Sequence, residues 1–212
     1  MKFDIITIFP KILDSYFQES ILKRAQKNGL IEIKTHNLRD FTADKHHKVD
    51  DSPYGGGPGM VMKVEPIVKA IESVKRQASG IKKSRVILFS LRGKKFDQKE
   101  AHRLSKYKQL IFICGRYEGI DERVAEYVAD EEISVGDYIL SGGELPAAVV
   151  IEAVSRLIPG VLGKHESLEE LKGSYAVYTR PEAVKVKNKT RKVPKELLSG
   201  NHKEIERWRN GQ

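Results

Sequence analysis

Leu110-Ile111-Phe112-Ile113-Cys114-Gly115-Arg116-Tyr117-Glu118-Gly119 is the stretch on which the fold turns. Leu110–Cys114 is apolar without interruption, the character of a strand covered on both faces, and Gly115 follows it directly. Val86–Phe89 has the same character and runs into Ser90-Leu91-Arg92-Gly93. A polar helical segment, about 97–106, separates the two runs. Strands alternating with helices imply an α/β fold on a largely parallel sheet. In such sheets small molecules bind at the C-terminal ends of the strands, where glycine lets a ligand approach the backbone closely.

Working outward, Phe3–Phe9 reads as a strand. Ile12, Leu13, Tyr16, Phe17, Ile21, Leu22 and Ala25 then recur at helical spacing, and Asn28-Gly29 stops that helix. Ile31–Thr35 is a second strand, followed by a polar stretch to Met60 and a helix marked by Ile67, Val68, Ile71 and Val74. Pro146–Ile158 is apolar almost all round, as in a helix buried inside a domain or against a second subunit. After Pro159-Gly160 the composition shifts: 163–173 is polar and reads as a linker, and Val193–Arg209 suggests one or two short helices.

The chain's 212 residues suit one domain, or one with a small appendage, and 40% apolar residues suffice for a core. No run approaches the ~20 apolar residues of a membrane span, and the N-terminus lacks the features of a signal peptide. A single cysteine, Cys114, excludes an internal disulfide or a multi-cysteine metal site and fits a reducing, cytoplasmic location. The net charge of +9 points to a polyanion, nucleic acid first. The excess is uneven: residues 161–212 hold 12 basic and 7 acidic residues, a net +5. Within that tail Lys185, Lys187, Lys189 and Arg191 alternate, so in one extended strand they would share a face and neutralise phosphates without reading sequence.

Three glycine clusters stand out, at 54–60, 114–119 and 141–144. None has the spacing of a nucleotide phosphate loop. A flat, phosphate-free ligand such as an adenosine suits them better.

Three runs, His46–Met60, Cys114–Arg123 and Val135–Pro146, closely resemble the bacterial tRNA (guanine-N1)-methyltransferase family of the TrmD type. So do Ser155-Arg156, Ile158–Gly163, Tyr178–Glu182 and Leu198–His202, in one register from about residue 3 to 209. The resemblance implies a SPOUT-type α/β domain over 1–162 with a C-terminal trefoil knot. It further implies a linker over 163–175 and a small helical C-terminal tRNA-binding domain over 176–212, shortened at its end. It also implies a homodimer, S-adenosylmethionine as methyl donor, and transfer to N1 of guanosine 37 in the anticodon arm of tRNA.

By the same resemblance the cofactor would meet Leu88, Ser90, Gly115, Tyr117, Glu118, Val135, Gly136, Asp137, Tyr138, Ile139, Leu140, Gly142 and Gly143. Arg156 matches the arginine that stabilises charge on the guanine. His46, Asp50, Gly57 and Gly59 fall in a loop that lines the tRNA site, which is preferred to a metal site built from His46, His47, Asp50 and Asp51. Glu118 would help hold a magnesium ion, or else make a salt bridge beside a turn. Two departures stand out. Leu91 replaces a proline, and 163–173 lacks the aspartate that serves the family as general base. Glu169 is the preferred substitute; Glu170 is second, since Ser167-x-x-Glu170 is a capping-box pattern. Without a base the chain would instead be a non-catalytic or weakly active tRNA- and cofactor-binding relative.

Overall fold

The structure is a computed structural model and describes residues 1–163 and 175–211. The chain divides into two compact units, Met1–His165 and Glu166–Gln212. In the first, β1 (Lys2–Thr7), β2 (Glu32–Asn37), β5 (Ser84–Lys95), β6 (Gln109–Ile113) and β7 (Glu131–Ser134) form one sheet in the order β2-β1-β6-β5-β7. Every pairing in it is parallel, as the two uninterrupted apolar runs predicted.

Side-chain alternation divides the core between the two faces of the sheet. Phe3, Ile5, Ile87 and Phe112 pack with α1 (Asp14–Phe17), α2 (Ser20–Lys27), α4 (Gln98–Leu104) and α6 (Glu144–Arg156). Ile6, Val86, Leu88, Ile111 and Ile113 pack with α3 (Val64–Gln77) and α5 (Glu122–Tyr127). Asp4 is the charged intruder on the second face, and its two oxygens bond His36 Nε2 and Gln109 Nε2, each at 2.7 Å. On the first face Arg103 bridges Glu100 and Glu131, while Arg85 reaches Glu131 at 2.8 Å, tying α4 to the outer strands.

Two local expectations differ. The helix expected over 12–25 breaks into α1 and α2, with Ser20 at φ +49°. Gln26 satisfies a carbonyl freed by the break, its Nε2 donating to Phe17 O at 2.8 Å. The polar stretch before Met60 contains β3 (Asp50–Asp51), which pairs antiparallel with β4 (Val61–Met62) just beyond it. Among the described residues no helix is long and apolar enough to cross a membrane.

The second unit carries β8 (Ala183–Val186) and β9 (Lys189–Lys192), then helices Lys195–Leu198 and His202–Asn210. Tyr178 packs edge-on against Trp208, and Arg209 lies over the Tyr175 ring. The four alternating basic residues do not share a face. Lys187-Asn188 forms a tight turn with both residues at positive φ, so the segment doubles back as a hairpin. Opposite residues of a hairpin project to the same side, which puts Lys189 and Arg191 beside Val186 and Val184, and Lys185 and Lys192 on the other side.

Candidate active site

The C-terminal ends of β5, β6 and β7 surround a cavity of about 400 Å³. Three segments wall it. The first is Ser90–Gly93, an excursion inside β5, because Phe89 and Lys94 both pair with Ile133. The second is the turn Gly115–Gly119 after β6, with Tyr117 held at φ +59°, and the third is Val135–Gly143 between β7 and α6.

Leu88, Ser90, Gly115, Tyr117, Glu118, Val135, Gly136, Tyr138, Ile139, Leu140, Gly142 and Gly143 all line this cavity. Asp137 does not; its carboxylate takes an ion pair from Lys95 and is exposed. Backbones meet closely at the floor. Gly143 N donates to Gly115 O at 3.1 Å, and a Cβ on Gly143 would lie 2.7 Å from Cys114 Cα. Only glycine leaves room there.

The floor is fastened by a buried ionic cluster that the motifs contained without revealing. Glu144, the first residue of α6 and 1% exposed, accepts from Thr7 Oγ1 at 2.6 Å and from Arg116 Nε at 3.0 Å. Arg116 also reaches Ser141 O at 3.3 Å and stacks over Phe9, 4.8 Å from the ring centre. One guanidinium thus joins the β6 turn, the 141–143 loop and the end of β1. The available signal was an acid opening a largely apolar helix, which has to find a partner once buried. Burial and the nearby Glu144 push the Cys114 thiol well above its ordinary pKa, which disfavours the thiolate.

The loop before β4 reaches the cavity through one glycine. A Cβ on Gly59 would collide with the Glu118 side chain, and Glu118 N donates to Met60 O at 3.1 Å. Asp50 is held through β3, opposite Met62, whose N donates to Gly119 O at 3.0 Å. Gly57 and His46 do not line the cavity: Gly57 has open space around it, and His46 is exposed, its N donating to Asp44. Among the described residues no three His, Cys, Asp or Glu gather as a metal site.

Arg156, the last residue of α6, lines a second, larger hollow of about 870 Å³ with Ile12, Tyr16, Leu145, Val149 and Glu152. Tyr138, Leu140, Val135 and Pro146 belong to both hollows, so Arg156 lies across a shared wall from the cavity. Glu169 and Glu170 lie outside the described residues.

A family model described as tRNA (guanine-1)-methyltransferase TrmD matches residues 1–212. The chain belongs to this family. Its relatives include tRNA (guanine-N(1)-)-methyltransferases of Carboxydothermus hydrogenoformans and Dictyoglomus turgidum, each 53% identical. The first alignment covers 100% of this chain and 82% of the relative, the second 99% and 83%. A crystal structure titled tRNA (m1G37) methyltransferase from Aquifex aeolicus superposes with a TM-score of 0.81 at 45% identity, over 98% of this chain and 87% of that one. The α/β architecture with its mostly parallel sheet is therefore that of the TrmD family. Two of the glycine motifs that carried the resemblance supply walls of the cavity, at Gly115–Gly119 and Ser141–Gly143; the one at 54–60 does not line it.

Proposed function

We propose that the chain transfers the methyl group of S-adenosylmethionine to N1 of guanosine 37 in tRNA. The observation that carries this reading is the glycine-walled cavity at the ends of β5, β6 and β7, in a chain matched over its whole length by the family model. The cavity fits the donor. Its volume is in the range of small-molecule sites, its floor is backbone and small residues, and its wall includes the acidic residue Glu118. When bound, S-adenosylmethionine supplies a methyl carried on a positively charged sulfur.

The chain's own residues supply alignment and charge. Backbone at Gly115, Val135, Gly136, Gly142 and Gly143 holds the nucleoside half, and Tyr138 and Leu140 close one side. Arg156, always cationic, faces the guanine O6, where negative charge gathers as N1 loses its proton. A carboxylate receives that proton, with Glu169 assigned ahead of Glu170. Glu118 is the carboxylate available to a magnesium ion, which commonly binds proteins through one or two such groups and otherwise keeps its water.

Radiolabelled S-adenosylmethionine with a tRNA carrying guanosine at 36 and 37 tests the reading. Label is expected in the tRNA, and none when position 37 is adenosine. Absence of product from protein that still binds the cofactor overturns it.

The same reading makes the chain a homodimer, tied into a trefoil knot, that works in the cytoplasm. Leu145 (59% exposed), Val149 (48%), Ile12 and Tyr16 form an apolar surface on the Arg156 hollow, a surface suited to a second copy. Val149→Glu is expected to shift the mass in solution from dimer to monomer, read by light scattering, and to abolish methylation. The C-terminal unit brings tRNA phosphates to the hairpin. Lys189→Ala with Arg191→Ala is expected to lower the slope of log affinity against log salt by about two. An unchanged slope places the phosphates elsewhere.

A further inference from the structure

Glu132 was not singled out by its sequence and has no part in the mechanism above. It sits in β7 opposite Leu88, two residues before the strand ends, and lines the cavity. Its strand neighbours Glu131 and Ile133 face the opposite side, Glu131 toward Arg85 and Arg103. The Glu132 Oε2 atom is shielded from solvent and has no hydrogen-bond partner among the described residues. Arg92 is the nearest cation, but its Nη2 stands 4.0 Å away and is committed to both oxygens of Glu122, at 2.8 and 2.9 Å. The charge is thus balanced at a distance while the acceptor stays unclaimed.

Such an atom is costly unless something completes it, since a desolvated acceptor forfeits its bond to water. The backbone leaves it little freedom to escape. A Cβ on Gly93 would lie 2.5 Å from Ile133 N and 2.6 Å from Glu132 C, so the β5 excursion presses directly on this part of β7. The backbone that carries this carboxylate is thus fixed in the wall of the cavity.

We infer that Glu132 is a ligand-binding residue that accepts a hydrogen bond from a donor on the nucleoside half of the cofactor. The unclaimed carboxylate oxygen is an acceptor, so the matching group is a donor, a ribose hydroxyl or the base's exocyclic amine. This rests on the reading of the cavity as the S-adenosylmethionine site. Acidic side chains recognise ribose hydroxyls in this way in other α/β folds.

Isothermal calorimetry on the full chain tests the inference without turnover. The ligands are S-adenosylhomocysteine, 5′-methylthioadenosine, its 2′-deoxy and 3′-deoxy forms and 5′-methylthioinosine, the last lacking the base amine. Glu132→Met is expected to weaken S-adenosylhomocysteine and methylthioadenosine alike by about 10- to 100-fold. The loss should vanish with the one analogue that lacks the matching donor, which tells ribose from base. Glu132→Asp keeps the charge beside Arg92 but withdraws it by a methylene, and is expected to lose affinity in the same pattern if the methionine variant does not fold. Wild-type affinity in the variants overturns the inference. So does an equal loss with every analogue, the mark of a merely structural effect, or a loss confined to S-adenosylhomocysteine, which places the donor on the amino-acid half. If the unsubstituted chain binds none of these ligands, the cofactor reading itself fails and the inference falls with it.

Discussion

Replacing Arg156 with alanine is expected to slow methyl transfer by ~100- to 1000-fold, the usual consequence of removing one donor aimed at developing charge. Binding of S-adenosylhomocysteine should stay within about twofold of wild type, because the side chain lines the outer hollow and not the cofactor cavity. Single-turnover rates at saturating tRNA separate the two effects. Arg156→Lys should recover only part of the loss, since lysine keeps the charge but not the planar fork. A variant with normal single-turnover rate and raised KM would make Arg156 a tRNA-binding residue instead.

The second large effect lies in the cavity floor. Arg116→Ala is expected to cost about 3–5 kcal/mol of stability, as removal of one partner from a buried ion pair generally does. Glu144 would remain buried with only the Thr7 hydroxyl to compensate its charge. Urea unfolding measures the loss. The double variant Arg116→Met with Glu144→Gln should regain part of it, because the orphaned charge is gone. Both variants also release Ser141 O, so S-adenosylhomocysteine affinity should fall in both while stability recovers only in the double. Equal stability of the single variant and wild type would show that the cluster does not hold the floor.

The legible part of the fold was the part made by uninterrupted apolar strands and by glycine. Leu110–Cys114 and Val86–Phe89 announced the parallel sheet, and the glycine clusters at 114–119 and 141–144 announced the cavity edge, while the cluster at 54–60 does not line it. β7 was not announced, because Glu131-Glu132-Ile133-Ser134 puts two acids in an edge strand whose pairing comes from β5. The basic run at 185–192 misled for a related reason: alternation defines a face only while the strand continues, and Lys187-Asn188 folds it back. Side-chain partnerships such as Arg116 with Glu144, or Glu132 with the cavity, link residues far apart in sequence and become visible only once the chain is folded.

The β5 excursion has a thermodynamic consequence. Ser90–Gly93 leaves the sheet at Phe89 and returns at Lys94, with both ends anchored on the same residue, Ile133. Loop closure is therefore complete before any ligand arrives, and its entropic cost is met at folding rather than at binding. The affinity of the cavity should accordingly be little eroded by ordering. A length change of even one residue between 89 and 94 would have to be absorbed by the sheet register or by the cavity wall itself.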